Sequence, residues 1–253
     1  MSVALDTSVA GAIPDLVVAV PEYRTLSVIV PVFNERATVV EIIRRARSVA
    51  IPLALEIIIV DDASTDGTGE LLSALQDSTV RVIHHTENRG KGAAVRTGLA
   101  AVSGELVLIQ DADLEYDPSD WPMLLEPVLT GKAEVVYGSR FRGECRNMTR
   151  LHWIGNQFLS FVTRILYATS VTDMNTCYKL IDRRVLDGIS LQSERFAFDP
   201  EITAKILRRG HRIYEVPVSY DARTVSEGKK ITWRDGRSVI TALVRYRLAS
   251  PDN

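Results

Sequence analysis

The chain has 253 residues, of which 46% are hydrophobic and 25% are charged, as in an ordinary soluble globular protein. Its formal net charge of -2 gives no bulk attraction to nucleic acid, so a nucleic-acid partner is not expected. Two cysteines, Cys145 and Cys177, are too few for a zinc site or a disulfide framework and are interpreted as reduced thiols, with a single disulfide as the alternative. No uncharged apolar stretch of about 18 residues is present, which predicts no membrane span.

Strand and helix patterns alternate along the chain, after an N-terminal extension (residues 1–24) that has no clear period and no assigned role. Apolar runs predict buried strands at 26–30, 55–60, 80–84, 105–110 and 133–138. Helices are predicted between them, near 36–49, 68–75 and 91–102. This alternation predicts an α/β fold, Rossmann-like, with a mostly parallel sheet and helices on both faces. Residues 25–253 are interpreted as a single domain.

Polar motifs follow four successive strands of the predicted sheet. They read, in chain order, PVFNE, DDASTDG, TENRGKG and DADLE. In open parallel sheets, ligands bind beyond the carboxyl ends of the strands. The sequence therefore predicts a ligand site at this edge, rich in acidic and small residues.

Two aspartates, Asp111 and Asp113, end the fourth predicted strand with one alanine between them. Alternate residues of an extended segment point the same way, so both carboxylates are expected to face one spot. Two like charges held close repel unless a cation lies between them, and that cation is either a metal or a basic side chain. Mg²⁺ or Mn²⁺ suits these ligands and a substrate phosphate, and solvated aspartates in a turn are the alternative.

The remaining motifs leave alternatives open. Gly90 and Gly92 fit the start of a dinucleotide fingerprint, but Val95 stands where a third small residue is needed, so a Rossmann dehydrogenase is disfavoured and turn chemistry is the alternative. Asp61 and Asp62 are interpreted either as a helix-capping pair or as acceptors for a nucleobase edge.

An apolar stretch, WIGNQFLSFVTRILY, follows a cluster of arginines in the second half of the chain. Arg140 ends the fifth predicted strand, so it is expected at the same edge as the aspartates, where it suits a phosphate. The stretch has apolar residues at helical spacing between Ile154 and Leu166. Packing in the core is the favoured interpretation, and a helix lying on a bilayer is the alternative.

Taken in order, PVFNE, VDDASTDGT, NRGKGAAVRTG, DADLEYDP and YGSR resemble the motifs of family-two glycosyltransferases with the GT-A fold. The resemblance covers about residues 25–235 and is closest to the dolichol-phosphate mannosyltransferase and polyprenyl-phosphate glycosyltransferase group. It implies a nucleotide-sugar-binding half at 25–115 and an acceptor half at 116–253.

The resemblance also implies roles for individual residues. The nucleoside pocket would contain Pro31, Phe33 and Glu35, with Glu35 on the ribose hydroxyls, and Asp62 would contact the base. The metal ligands would be Asp111, Asp113 and, third, Glu115. The donor would also contact Lys91 and a basic flap, represented by Arg223 and Lys230. The acceptor phosphate would be bound by Arg140 and Arg150, and Asp173 would face the sugar.

The resemblance implies an inverting, metal-dependent transfer of a hexose from GDP-mannose or a UDP-sugar to a polyprenyl or dolichyl phosphate. A phosphate acceptor is largely ionised at neutral pH and attacks without a base, whereas a hydroxyl acceptor needs one, for which Asp173 is the candidate. The expected location is cytoplasmic, with peripheral contact to the membrane surface. The alternatives are a soluble transferase acting on a hydroxyl and a nucleotide-sugar-binding subunit without catalysis.

Overall fold

The computed structural model describes residues 22–195, 197–223 and 235–249. The strands are β1 (Thr25–Val32), β2 (Ala54–Asp61), β3 (Val80–His84), β4 (Leu106–Ile109), β5 (Val135–Ser139), β6 (Cys145–Arg146), β7 (Lys179–Asp182), β8 (Ile213–Pro217) and β9 (Tyr220–Asp221). The helices are α1 (Val39–Ser48), α2 (Thr68–Ser73), α3 (Lys91–Leu99), α4 (Trp121–Leu129), α5 (Arg150–Tyr167), α6 (Arg183–Leu186), α7 (Phe198–Arg208) and α8 (Asp235–Leu248). The five strands and three helices predicted in the first half are confirmed.

Seven strands form one sheet in the order β3-β2-β1-β4-β7-β5-β8. All neighbouring pairs are parallel except those of β7, which runs antiparallel to both β4 and β5. The predicted mostly parallel sheet is therefore confirmed, with one reversed strand that the sequence pattern did not reveal. Because β7 is reversed, its first residue, Lys179, lies at the carboxyl edge of its neighbours. The segment just before it, which contains Asp173, is thereby brought to the ligand edge.

Both faces of the sheet are covered, as the continuous apolar strands predict. On β2, Ile57 and Ile59 share a buried cluster with Ile42 of α1, while Ile58 packs with Ala94 of α3 on the other face. Each such side chain contributes roughly 1.5–3 kcal/mol on burial. The sheet is thus a rigid base for the loops at its carboxyl edge.

Helix α5 buries a polar stripe, packs Val162 and Leu166 against the core as predicted, and exposes several other apolar side chains. The side chains of Asn156, Ser160 and Thr163 are buried. The exposed fractions of four apolar residues are large: Ile154 57%, Phe158 53%, Phe161 49% and Ile165 65%. The prediction that this stretch packs in the core is wrong for these four residues, because the polar stripe binds neighbouring loop atoms instead. Within the described ranges, no helix is long and apolar enough to cross a membrane.

Candidate active site

The loops after β1 and β2 are tied together by polar contacts at the predicted edge. Asn34 has a positive φ of 54°, and its side chain accepts a hydrogen bond from the Thr65 amide at 2.8 Å. The Glu35 amide donates to the Thr68 hydroxyl at 3.1 Å. These contacts fix Glu35, whose side chain is only 8% exposed, beside the half-buried Pro31 and Phe33.

The Asp62 carboxylate holds the loop between β3 and α3. It accepts hydrogen bonds from the amides of Arg89 at 2.9 Å and Gly90 at 2.6 Å, and it contacts His85 Nδ1 at 2.7 Å. Gly90 has a φ of 90°, and a Cβ there would lie 2.6 Å from the Glu194 carbonyl oxygen. Glycine suits this position because the backbone has a positive φ and because another backbone segment lies too close for a side chain. By holding this loop, Asp62 sets the position of the following residue, Lys91.

Lys91 neutralises the first aspartate of the DADLE motif. Its ammonium lies 2.7 Å from one Asp111 oxygen and 2.9 Å from the other. Burial raises the pKa of Asp111, but the Lys91 charge outweighs it, so the pKa lies below its usual range. The cation that the sequence required next to Asp111 is, in this structure, a basic side chain.

The second aspartate of the motif, Asp113, carries a charge that is only partly compensated. Residues 111–115 form a turn in which Leu114 has a positive φ of 63°, so the prediction of an extended segment is wrong. The turn nevertheless keeps the two carboxylates close. Burial and the charges of Asp111 and Glu115 raise the pKa of Asp113 to about 7, although Arg223 opposes them.

Arg223, two residues after β9, connects carboxylates from two loops. Its guanidinium contacts Glu35 at 3.0 and 3.2 Å and Asp113 at 3.0 Å. Its amide donates to Glu115 at 2.8 Å, and the other oxygen of Glu115 accepts from the Tyr220 hydroxyl at 2.7 Å. The predicted flap residue Lys230 lies outside the described residues. Within the described part of the chain, no three His, Cys, Asp or Glu side chains are arranged to hold a metal ion.

Arg140, predicted to bind the acceptor phosphate, and Asp173, predicted to face the sugar, form a buried ion pair. The guanidinium donates to the two Asp173 oxygens at 2.7 and 2.6 Å, and the Arg140 amide donates at 3.0 Å. The Asp173 amide in turn donates to Glu215 at 2.9 Å. The Tyr220 ring centroid is 5.0 Å from the guanidinium carbon. Arg150 begins α5 nearby in the chain and is exposed.

The polar stripe of α5 supports the loop that carries Asp173. The Met174 amide donates to the Ser160 hydroxyl at 3.2 Å, and the Asn175 side chain donates to Asn156 at 3.1 Å. Sequence reasoning missed this support, and it also missed Glu215 and Tyr220. The only sequence signal for Tyr220 is its position beside Arg223 in the YDAR motif.

A mostly parallel sheet with acidic loops, cationic side chains and glycine turns collected at its carboxyl edge defines an α/β transferase of the GT-A type. The chain belongs to glycosyl transferase family 2, whose model matches residues 27–189, and it is a glycosyltransferase.

Its relatives include two enzymes that are about as long as this chain. It is 32% identical over 236 residues to an undecaprenyl-phosphate mannosyltransferase of Micrococcus luteus, covering 88% of this chain and 93% of the relative. It is 32% identical over 230 residues to a polyprenol monophosphomannose synthase of Mycolicibacterium smegmatis, covering 87% and 85%.

A solved structure with the same fold is glucosyl-3-phosphoglycerate synthase from Mycobacterium tuberculosis in complex with UDP. The TM-score is 0.70 at 24% identity, covering 88% of this chain and 80% of that one. The same protein has been solved with Mn²⁺, UDP and glucosyl-3-phosphoglycerate, at a TM-score of 0.66. This likeness confirms the predicted GT-A fold.

Proposed function

We propose that this protein transfers a hexose, with inversion, from a nucleotide-sugar to a polyprenyl phosphate at a membrane surface. Two relatives that cover most of the chain are named for mannosyl transfer to undecaprenyl phosphate and to polyprenol phosphate. Their names support the acceptor class. Transfer of label from GDP-mannose or from a UDP-sugar distinguishes the two donors.

The burial and pairing of Asp173 support a phosphate acceptor more directly than any other feature of the site. Its side chain is 0% exposed, and both oxygens accept hydrogen bonds from Arg140. Both oxygens are therefore committed to the Arg140 guanidinium and backbone, and neither is open to a hydroxyl group of an incoming acceptor. A hydroxyl acceptor needs a base, whereas a phosphate monoester is already largely ionised. The locked pair therefore favours a phosphate acceptor, which Arg140 and the exposed Arg150 would bind.

The donor would occupy the edge between the β1 and β4 loops. Glu35 would accept hydrogen bonds from the ribose hydroxyls, and the loop held by Asp62 would border the space for the base. Lys91 and Arg223 would meet the diphosphate; Lys230, proposed with them, lies outside the described residues. Cations so placed would stabilise the charge that develops on the leaving diphosphate.

A divalent metal fits this site by its charge balance. Among the residues that the structure describes, four carboxylates, those of Glu35, Asp111, Asp113 and Glu115, are paired with two cationic side chains, Lys91 and Arg223. The imbalance is visible in the raised pKa of Asp113. We propose that Asp111 and Asp113 hold Mg²⁺ or Mn²⁺, and Glu115 joins them only if it releases Tyr220 and the Arg223 amide. When bound there, the ion would neutralise charge on the leaving group. A solved protein of the same fold contains Mn²⁺, which supports this assignment.

Helix α5 supports the membrane part of the proposal. It contains no acidic residue, its cations include Arg150 and Arg164, and six of its apolar side chains are about half exposed or more. A helix of this kind lies with its apolar side in the interface of a bilayer. The lipid tail of the acceptor would then stay in the membrane while its phosphate reaches Arg150 and Arg140.

The experiment offers radiolabelled GDP-mannose and UDP-sugars to the protein with Mn²⁺. The acceptors are undecaprenyl phosphate in detergent and, separately, 3-phosphoglycerate and other hydroxyl compounds. Label is expected on the lipid phosphate and absent for Asp111→Asn and in EDTA. Label on hydroxyl acceptors alone would overturn the proposal, and full activity in EDTA would overturn its metal part.

The membrane part has its own test with vesicles that contain anionic lipid. The double variant Phe158→Ser, Phe161→Ser is expected to sediment with vesicles roughly tenfold less than the unmodified protein, because two large side chains no longer insert. Val40→Ser is the matched control, since Val40 is an apolar residue of α1 that is 51% exposed. Equal sedimentation of all three proteins would argue against α5 as the contact.

A further inference from the structure

We infer that Arg223 is an internal counter-ion that occupies the donor and metal site until ligands displace it, so that metal alone binds weakly and metal with a nucleoside diphosphate binds together. The inference rests on the proposed function in one respect, namely that Asp111 and Asp113 are the metal ligands.

The Arg223 side chain contacts two carboxylates, Glu35 and Asp113, for which different ligands are proposed. Glu35 is proposed to accept hydrogen bonds from the ribose hydroxyls, and both of its carboxylate oxygens lie within 3.2 Å of the Arg223 guanidinium. Asp113, proposed to bind the metal, has Oδ2 3.0 Å from the same guanidinium. Only 17% of the Arg223 side chain is exposed, so the contact is not a loose surface pair.

These contacts compete directly with both ligands. A ribose hydroxyl that donates to Glu35 would compete with Arg223 for the carboxylate oxygens, one of which also accepts from the Thr38 hydroxyl. A metal ion that binds Asp113 through Oδ2 must take an oxygen now used by Arg223, and it would meet a positive charge held about 3 Å from that oxygen. Displacing one side chain therefore opens Asp113 to a metal ion and removes a competitor for the oxygens of Glu35.

The contacts of Arg223 with the carboxylates are strong enough to compete with ligands, but they do not satisfy the whole guanidinium. Its Nε is buried and has no hydrogen-bond partner among the described residues. Oε1 of Glu115 lies 4.0 Å from it, too far for a hydrogen bond, and a buried donor without such a bond weakens the hold of the carboxylates on the guanidinium. A diphosphate offers an arginine two oxygens in a bidentate arrangement, so the donor itself supplies a better partner.

Metal and nucleotide must then bind with positive coupling. A metal ion alone expels Arg223 from Asp113 without giving it another anion, whereas a nucleoside diphosphate provides that anion. The release of Arg223 is needed once for both ligands. By linkage, each ligand raises the affinity of the other by the same factor.

The test measures Mn²⁺ binding to the nucleotide-free protein, with free Mn²⁺ counted by electron paramagnetic resonance. Arg223→Met is expected to bind Mn²⁺ roughly tenfold more tightly than the unmodified protein, the equivalent of losing one charge-assisted contact. Arg223→Gln is measured alongside, so that the result does not depend on the folding of one variant. Arg45→Met is the matched control, because Arg45 also bridges two carboxylates, Glu41 at 2.8 Å and Asp117 at 3.1 Å.

Tighter Mn²⁺ binding by both Arg223 variants, with the Arg45 variant unchanged, supports the inference. Unchanged or weaker binding by the Arg223 variants, or no Mn²⁺ binding by any protein, overturns it. A second readout is the melting temperature, which Mn²⁺ alone should raise more in Arg223→Met than in the unmodified protein. Neither measurement contains a sugar or a lipid, so a failure of transfer to polyprenyl phosphate leaves both results interpretable.

Discussion

Replacing Asp113 by Asn should stabilise the metal-free protein at pH 8, although it removes a proposed metal ligand. The pKa of Asp113 is raised from 3.8 to about 7, mainly by burial and by the charge of Asp111. The native state therefore binds one more proton than the unfolded state between about pH 4 and pH 7. The unfolding free energy falls as the pH rises through that window, by roughly 4 kcal/mol if the whole difference is expressed.

Asn removes this unfavourable charge but also one charge-assisted contact with Arg223, so about half of the gain, ~2 kcal/mol, should remain. Urea denaturation in EDTA at pH 8 and pH 5 measures this gain in unfolding free energy, which should be near zero or negative at pH 5, where Asp113 already carries a proton.

Asp111→Asn is the matched control, and its effect on stability should have the opposite sign, because Lys91 lowers the pKa of Asp111. It should destabilise by about 3 kcal/mol at pH 5, since it leaves a largely buried ammonium unpaired, and by less at pH 8, where it also relieves the charged Asp113.

The reasoning fails if Asp113→Asn is less stable than the unmodified protein at pH 8 in EDTA, or if its effect is the same at both pH values. Adding Mn²⁺ together with a nucleoside diphosphate should reverse the ranking, because only the unmodified protein gains stability from an ion bound to both aspartates.

Three further outcomes follow from contacts in the site. Asp62→Ala should raise the donor KM and lower kcat together, because it frees the loop that positions Lys91; kinetics with only KM raised would instead indicate a simple base contact. Gly92→Ala should lower the melting temperature by several degrees, since its Cβ would overlap the Ser193 carbonyl, and an unchanged melting temperature would contradict that packing. Asp173→Asn should destabilise the protein by about 3 kcal/mol in urea and raise the acceptor KM; unchanged stability with a collapsed kcat would point to a base.

The sequence predicted the first half of the fold well because that half is locally consistent. Strands β1 to β4 are short apolar runs that alternate with periodic helices, and their order in the sheet follows simple crossovers. Strand β7 escaped because YKLID is short, contains a lysine and pairs only with distant strands. The lysine, Lys179, is fully buried yet paired with Asp199 at 2.5 Å, which no local pattern signals.

For the candidate site, the sequence indicated which residues reach the edge, but not which partners they have there. The pairs Lys91–Asp111 and Arg140–Asp173 join residues that are 20 and 33 positions apart. Their pairing depends on the geometry of the turn after β4 and on the reversal of β7. Helix α5 was misjudged for a similar reason: periodicity reveals an apolar face, but not whether protein or solvent lies against it. The roles of the site residues stay predictions.

The reversed strand has a consequence for how the chain folds. Strands β1, β2, β3 and β4 are complete by residue 109, but the neighbour of β4 on its other side is β7, which ends at Asp182. Until β7 arrives, the backbone groups of LVLI in β4 form an open sheet edge of the kind that pairs with other chains. Pairing over so long a separation is slow, so the nascent chain is exposed to aggregation at this point of synthesis. A shortened chain that ends before β7 should therefore associate through β4, whereas one that includes residue 182 has the strand that covers it.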